Sequence, residues 1–440
     1  MTVFTTNSAA SVKLAETRPP STVSPAGASY LLALLTLVGA VNSLNRTMFG
    51  VVLQSIKSDM HVTDTVMGLV AGLAFALFYA FMGMPIAYLS DRYNRRNIIA
   101  IGMTFWSAMT CLTGFAANVW QLAVVRFLMG AGEASSGPPS NAMVADLYPK
   151  EKRPFVLGIL WAGASLGAIV ALAGGGWVNQ HYGWRTAFVW SGIPGFLLAG
   201  LLLFTKEPVR GVSDKGKASL EVSSFWRTIG FLATSKTYIL MALGGIVMAI
   251  GMSSQGAWAV PFLIRVHHFT TSEAGAFLGV NRIASLPGYL LGGYFATRFS
   301  RWDERWRFRV PALGCLLGAP AGVLFVLSNV KWIMFVGCAL MLFFSAMHFG
   351  PLMAVCQTVV KVRMRAVAVA VFIFMVNFIG QIVGPLGVGL MNDEMGPIYG
   401  TDAIRYSMLW FGTLVGIGAG VFMWIAARYF AKDAERALQA

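Results

Sequence analysis

The chain reads as an all-α integral membrane protein of twelve transmembrane helices, arranged as two pseudo-symmetric six-helix bundles. Three observations predict this. Of its 440 residues 57% are hydrophobic and only 12% are charged, a balance foreign to soluble globular domains. The apolar residues fall in runs of about 20 or more, long enough to cross a bilayer. Six such runs precede a polar stretch and six follow it.

The first six spans are expected at 29–54, 66–90, 97–116, 120–145, 154–180 and 185–205, and the second six at 237–266, 273–297, 309–328, 332–360, 364–391 and 404–429. This divides the chain into a cytoplasmic tail (1–28), an N-terminal bundle (29–205), a cytoplasmic linker (206–236), a C-terminal bundle (237–430) and a second cytoplasmic tail (431–440). The first tail is rich in Ser, Thr, Ala and Pro and lacks the apolar core of a signal peptide. It reads as disordered and uncleaved.

The net charge of +15 is topological and not a nucleic-acid footprint, because the cations cluster between spans. Cytoplasmic loops hold Arg92, Arg95 and Arg96, then Lys150, Lys152 and Arg153, six cations across 206–236, Arg298, Arg301, Arg305, Arg307 and Arg309, and Lys361, Arg363 and Arg365. Outer loops hold Lys57, Arg185, Arg265, Lys331 and Arg405. Both termini are therefore expected in the cytoplasm. Short loops, and a single Asn-x-Thr sequon (Asn45 to Thr47) placed inside a span, point to a bacterial inner membrane. Cys111, Cys315, Cys338 and Cys356 all sit in apolar runs without metal-ligand spacing, so packing is their expected role. No metal, cofactor or nucleotide site is indicated, since Gly174, Gly175 and Gly176, like Gly292 and Gly293, lie inside spans and read as close helix contacts.

Charge inside the spans carries the functional reading. Arg126 and Glu133 lie seven residues apart in the fourth span, nearly two turns and about 10 Å, with Gly130 and Gly132 between them. An intramembrane ion costs at least about 2.5 to 3.5 kcal/mol and is functional by default, though a structural ion pair bracing two helices is the plain alternative. Arg46 in the first span falls at a depth similar to Arg126, while Glu133 lies deeper. Two cations at one depth repel unless acids or an anionic guest sit between them, which favours a phosphate or carboxylate substrate. Glu133 is expected to take a proton from the outer side, lose its attraction to Arg126 and free the bundle to rock. The second half offers Arg282 as its one intramembrane cation, with Ser253, Ser254, Gln255, Asn281, His348, Asn377 and Gln381 as polar neighbours that can equally be packing hydrogen bonds. Such charge asymmetry suits an amphiphile with its headgroup at Arg46 and Arg126 and its chain along apolar surface. Pro138 and Pro139 are expected to kink the fourth helix just past Glu133, and Gly384 with Pro385 the eleventh. No nucleophile with its base appears among the spans, so the chain does not read as an enzyme.

The halves echo each other: Ala87 to Arg96 aligns with Gly293 to Arg298 and the basic run after it, and Gly163 to Gly167 with Gly380 to Pro385. Repeats of this kind place a substrate site between the halves. The six-plus-six spans, the basic linker, the run Asp91, Arg92, Arg95, Arg96 after the second span, and Arg126, Gly130, Gly132 in the fourth resemble the major facilitator superfamily over residues 29–430. Ala87 and Asn94 stand where that loop signature usually has glycine. The resemblance implies an alternating-access transporter working as a monomer, with a cytoplasmic gate in which Asp91 docks on the eleventh helix, its basic neighbours pair with Asp146, and Arg153 and Arg365 complete the lock. More narrowly, Gly132 to Ala134, Asp146 to Pro149, Gly183 to Arg185 and Trp258 to Pro261 resemble the Spinster family. That implies a proton-linked carrier of lysophospholipids or sphingoid phosphates, with Trp258 added to the substrate cavity; a hexuronate-like organic-anion symporter or an uncoupled facilitator are the rival readings. One departure stands out. The family's first-helix Asp-Arg is Asn45-Arg46 here, and Asn45 hydrogen-bonds but cannot exchange a proton. Gly163 and Gly167 also lack the proline of the superfamily's antiporter signature.

Overall fold

The computed structural model describes residues 24–148, 152–208, 225–361 and 364–439. Sequence expectations for most of the first tail, for Lys150, for 209–224 and for Arg363 lie outside them, as does the side chain of Asp91.

Among the described residues the secondary structure is entirely helical. The first half comprises α1 (Pro25–Met60), α2 (Asp64–Ala71), α3 (Leu73–Arg92), α4 (Arg95–Thr113), α5 (Val119–Glu133), α6 (Gly137–Leu147), α7 (Arg153–Val170) and α8 (Gly176–Leu203), a π-turn at Ala171–Gly175 joining the last two. The second comprises α9 (Phe225–Thr234), α10 (Lys236–His267), α11 (Thr271–Arg282), α12 (Ser285–Phe299), α13 (Trp306–Leu327), α14 (Lys331–Ala346), α15 (Phe349–Thr358), α16 (Arg365–Tyr399), α17 (Ala403–Leu409) and α18 (Val415–Gln439). Among the described residues seven stretches are continuously long and apolar enough to cross a membrane. The expected spans are more numerous because breaks and mergers intervene. The stretch Phe155–Leu203 covers two of them and turns at Gly183, whose φ of +82° lies in a region glycine enters freely. Other expected spans are divided: α5 from α6, α11 from α12, and α14 from α15.

Local sequence explains these breaks. The fourth expected span stops being helical at 134–136, directly after Glu133, and Pro138 and Pro139 then sit in the first turn of α6. Proline is tolerated there because the first N–H groups of a helix have no intrahelical partner. Pro385 lies inside α16, which runs through it without interruption. The backbone beside it is held from both sides, with Trp258 Nε1 donating to the Pro385 carbonyl at 2.9 Å and the bare backbone of Gly68 and Gly72 pressed against residues 381–386.

The two chain ends and the linker ends share one face, the terminal end of the bundle. Tyr148 Oη donates to Ala28 O, Asp433 accepts from Ser235 Oγ and Thr237 N, and Arg436 stacks on Phe231. At the opposite, far end the halves close on each other. A side chain at Gly50 would strike the Gly256 carbonyl, one at Gly275 the Leu172 carbonyl, and one at Gly389 the Asp64 carbonyl. Within the first half, Gly163 and Gly167 press on Thr36 and Ala40 of α1 in the same way, so this pair's role is to seat α7.

Gly167→Ala should therefore lower the melting temperature in detergent, since overpacking of this kind costs about 1 to 3 kcal/mol. Gly158→Ala, on the same helix with nothing within 4 Å, should raise it slightly by helix propensity, worth about 0.5 to 1 kcal/mol.

Candidate substrate and coupling site

The intramembrane charges converge in the first half, but not in the expected pairing. Glu133 ends α5, fully buried, and its Oε2 meets Arg46 Nη2 at 3.3 Å. Its direct partner is thus Arg46 of α1 and not Arg126. Arg46 keeps 34% of its side chain exposed and lies over the rings of Phe75 (4.8 Å) and Tyr79 (5.1 Å). Arg126 lies over Phe49 (4.1 Å) and Phe75 (5.6 Å), only 2% exposed, with one long hydrogen bond from Nη2 to Ala71 O at 3.5 Å. Flanking one phenyl ring, the two arginines share a depth. Cation–π contact in a desolvated site is worth up to about 2 kcal/mol, part of what makes a guanidinium tolerable there. Asn45 is fully buried, and neither of its amide atoms has a protein partner.

The second half encloses a cavity of about 130 Å³. It opens where the helices are broken: Arg282 and Ser285 flank the interruption between α11 and α12, and Ser345 and Ala346 precede the one between α14 and α15. Non-helical backbone at membrane depth is tolerated where it lines a cavity. Methionine, cysteine, glycine and alanine make up most of the wall, with Gln255 and Thr413 as further polar groups and no acid. Only Thr47 and Leu172 come from the first half. Among the described residues the Arg282 side chain has no hydrogen bond, ion pair or ring contact, while its carbonyl accepts from Ser285 Oγ at 2.7 Å. Toward the terminal end, Phe349 touches Trp161 of the first half (5.9 Å between rings) and Tyr289 (6.3 Å).

Several expected cavity residues are engaged elsewhere. Trp258 is fully buried on Pro385 O, so it braces α10 against α16. Asn281 and Asn377 donate to carbonyls one turn back, Phe277 O and Ile373 O, each at about 2.8 to 2.9 Å. His348 is buried with Nδ1 on Ser345 O. The Gln381 carbonyl packs on Gly72. Of the second-half candidates, Gln255 and Arg282 line the cavity. At the terminal end Arg95 pairs with Asp146, Arg96 donates to Leu203 O and Thr205 O, Arg153 to Tyr148 O, and Arg92 lies over Tyr88. These contacts all stay within the first half; Arg365 is exposed.

Sequence reasoning missed the far-end cluster. Asp64 heads α2 at 2% exposure and binds Lys57 of α1 and, across the divide, Arg265 of α10 (Nη2 to Oδ1, 2.9 Å) and Asn392 of α16 (2.9 Å). Arg265 Nε also donates to Gln54 Oε1 at 2.7 Å. Asp393 returns the favour, accepting from Asp64 N and Thr65 N at 3.0 and 2.7 Å at the positive end of α2. Counted as loop charge, Lys57 and Arg265 gave no sign of this; the clue was an acid, Asp64, in a loop too short to keep it in water.

A family model, the Major Facilitator Superfamily, matches residues 35–385. Among curated proteins, an MFS-type efflux pump of Mycolicibacterium smegmatis is 28% identical, covering 93% of this chain and 95% of its own. The sphingosine-1-phosphate transporter SPNS2 of Danio rerio is 26% identical (92% and 85%), and protein spinster homolog 1 of Xenopus tropicalis 25% (92% and 82%). Among solved structures, a bacterial homolog of the human lysosomal transporter Spinster, inward-facing and unoccupied, superposes with a TM-score of 0.83 at 30% identity, over 93% of this chain and 99% of that one.

Removing the Asp64 charge leaves Lys57 and Arg265 without their acid, a loss of about 3 to 5 kcal/mol for a buried pair. Asp64→Asn is expected to lengthen the distance between spin labels at Tyr182 and Ile398, exposed far-end sites in opposite halves. An unchanged distance distribution would mean that backbone packing alone closes this end.

Proposed function

Because the chain belongs to the major facilitator superfamily, and to its Spinster-type transporters, we propose that it moves an amphiphilic, lipid-like anion of the lysophospholipid or sphingoid-phosphate class by proton-linked alternating access. The observation that carries this reading is the second-half cavity: apolar walls, one unpaired cation in Arg282 and no acid, beside a first half that presents the Arg46–Glu133 pair. An acyl chain gains from leaving water at about 0.8 kcal/mol per methylene. Its charged head is held by guanidinium groups, which suit phosphate and carboxylate. The SPNS2 relative, named for sphingosine-1-phosphate, supports the same class.

Proton linkage rests on Glu133. When its carboxylate accepts a proton, the ion pair to Arg46 is lost, and Arg46, already partly exposed, is freed to hold an anionic head. Proton and anion then load together, and the net charge of the buried cluster changes less than if either bound alone. The positive-inside distribution supports a cytoplasmic terminal end at a bacterial inner membrane, and on that orientation the Asp64 cluster closes the outer side and the protein faces inward. One chain holds both halves, so a monomer suffices.

Proteoliposomes under an imposed pH gradient, offered labelled lysophospholipid or labelled hexuronate, test this. Lysophospholipid movement should be accelerated by the gradient, and Glu133→Gln should reduce it to the rate without a gradient. Hexuronate movement instead would favour the organic-anion reading, and gradient-independent movement an uncoupled facilitator. In the same assay Arg282→Gln should raise the half-saturating concentration about 10- to 100-fold, the equivalent of the roughly 1.5 to 3 kcal/mol of a hydrogen bond to a charged group.

A further inference from the structure

The buried cluster of the first half does not balance its own charge. Arg46 and Arg126 bring two positive charges, Glu133 one negative, and among the described residues no other acid pairs with either arginine. Glu133 pairs with Arg46 through Oε2, and its Oε1 has no hydrogen-bond partner. Arg126, 2% exposed, is left with Nε and Nη1 unpartnered, and Asn45, fully buried, with Nδ2 and Oδ1 unpartnered. The two belong together: Asn45 and Phe49 are one turn apart on the same face of α1, and the Arg126 guanidinium lies over the Phe49 ring at 4.1 Å. A guanidinium edge and an amide N–H₂, both buried, both short of acceptors and linked only through Phe49, offer a donor set for a compact anion, since buried N–H groups left without acceptors are costly.

We infer that Asn45 and Arg126 form a binding site for a compact monoanion, an inorganic ion of the halide type or the anionic head of a transported amphiphile, which supplies the charge that the cluster lacks. The inorganic arm stands whether or not the lipid reading above is right; the headgroup arm rests on it. An aspartate at position 45 has the shape of asparagine and would supply the missing charge from within the chain. Substitution to Asp therefore competes with the anion, while loss of the guanidinium removes its partner.

The test is thermal unfolding of the purified full-length protein at fixed pH and ionic strength. Wild type should gain a saturable rise in melting temperature as potassium chloride replaces potassium gluconate, following the logarithmic dependence of a ligand that binds only the native state. Asn45→Asp should melt higher than wild type in gluconate and lose the chloride response; Arg126→Gln should lose the response too. A second series titrates lysophosphatidate into gluconate buffer, with monoacylglycerol as the uncharged control. A rise with lysophosphatidate alone that Asn45→Asp abolishes identifies the anion as the substrate head and supports the site. Chloride and lysophosphatidate both failing to shift wild type would overturn it, as would a response that persists undiminished in Asn45→Asp. Transport is not the readout, so a chloride response in a protein that carries no lipid keeps the site and removes only the lipid reading.

Discussion

A single acid at the far end decides how the halves sit. Asp64 is withdrawn from water and accepts from donors on both sides of the divide, Lys57 within its own half and Arg265 and Asn392 in the other. A buried carboxylate without these partners would cost several kcal/mol, so it is tolerable only while the halves are together at that end. Asp393 reinforces the closure by capping α2 from the opposite half. Everything described above about the cavity and the coupling cluster presupposes that closure.

The second half has its cavity where α11 gives way to α12 and α14 to α15, and the first half gathers its charge at the end of α5. The division of labour is chemical. Phenyl faces of Phe49 and Phe75 and the Tyr79 ring make the arginines tolerable in a dry setting, while glycine, methionine and cysteine keep the opposite wall soft and without counter-charge.

Much of the fold was legible because hydrophobic run length and loop cations are local properties. The disruption just past Glu133 was legible for the same reason, since Pro138 and Pro139 predict a kink there. Pro385 lies inside an unbroken α16, with Trp258 Nε1 on its carbonyl and the Gly68 backbone against it. Pairings were the harder matter. Helical rise placed Arg46 and Arg126 at one depth, which their shared Phe75 ring bears out, but it could not say which would bind Glu133, 87 residues from Arg46 along the chain. Asn281 and Asn377 were drawn into the site by polarity and Trp258 by resemblance, yet each satisfies a nearby carbonyl. Asp64 was passed over because its partners lie about 200 and 328 residues away.

Part of the far-end seam is bare backbone: Gly50 on Gly256, Gly68 on Pro385, Gly275 on Leu172, Gly389 on Asp64. Those contacts have no rotamers to rearrange, while beside them side chains of both halves, Met48 and Phe49 with Trp258 and Phe262 among them, share one hydrophobic core. Where backbone meets backbone, parting the halves would leave no side chain off its rotamer, so the cost of opening falls on the shared core and on the polar latch at Asp64.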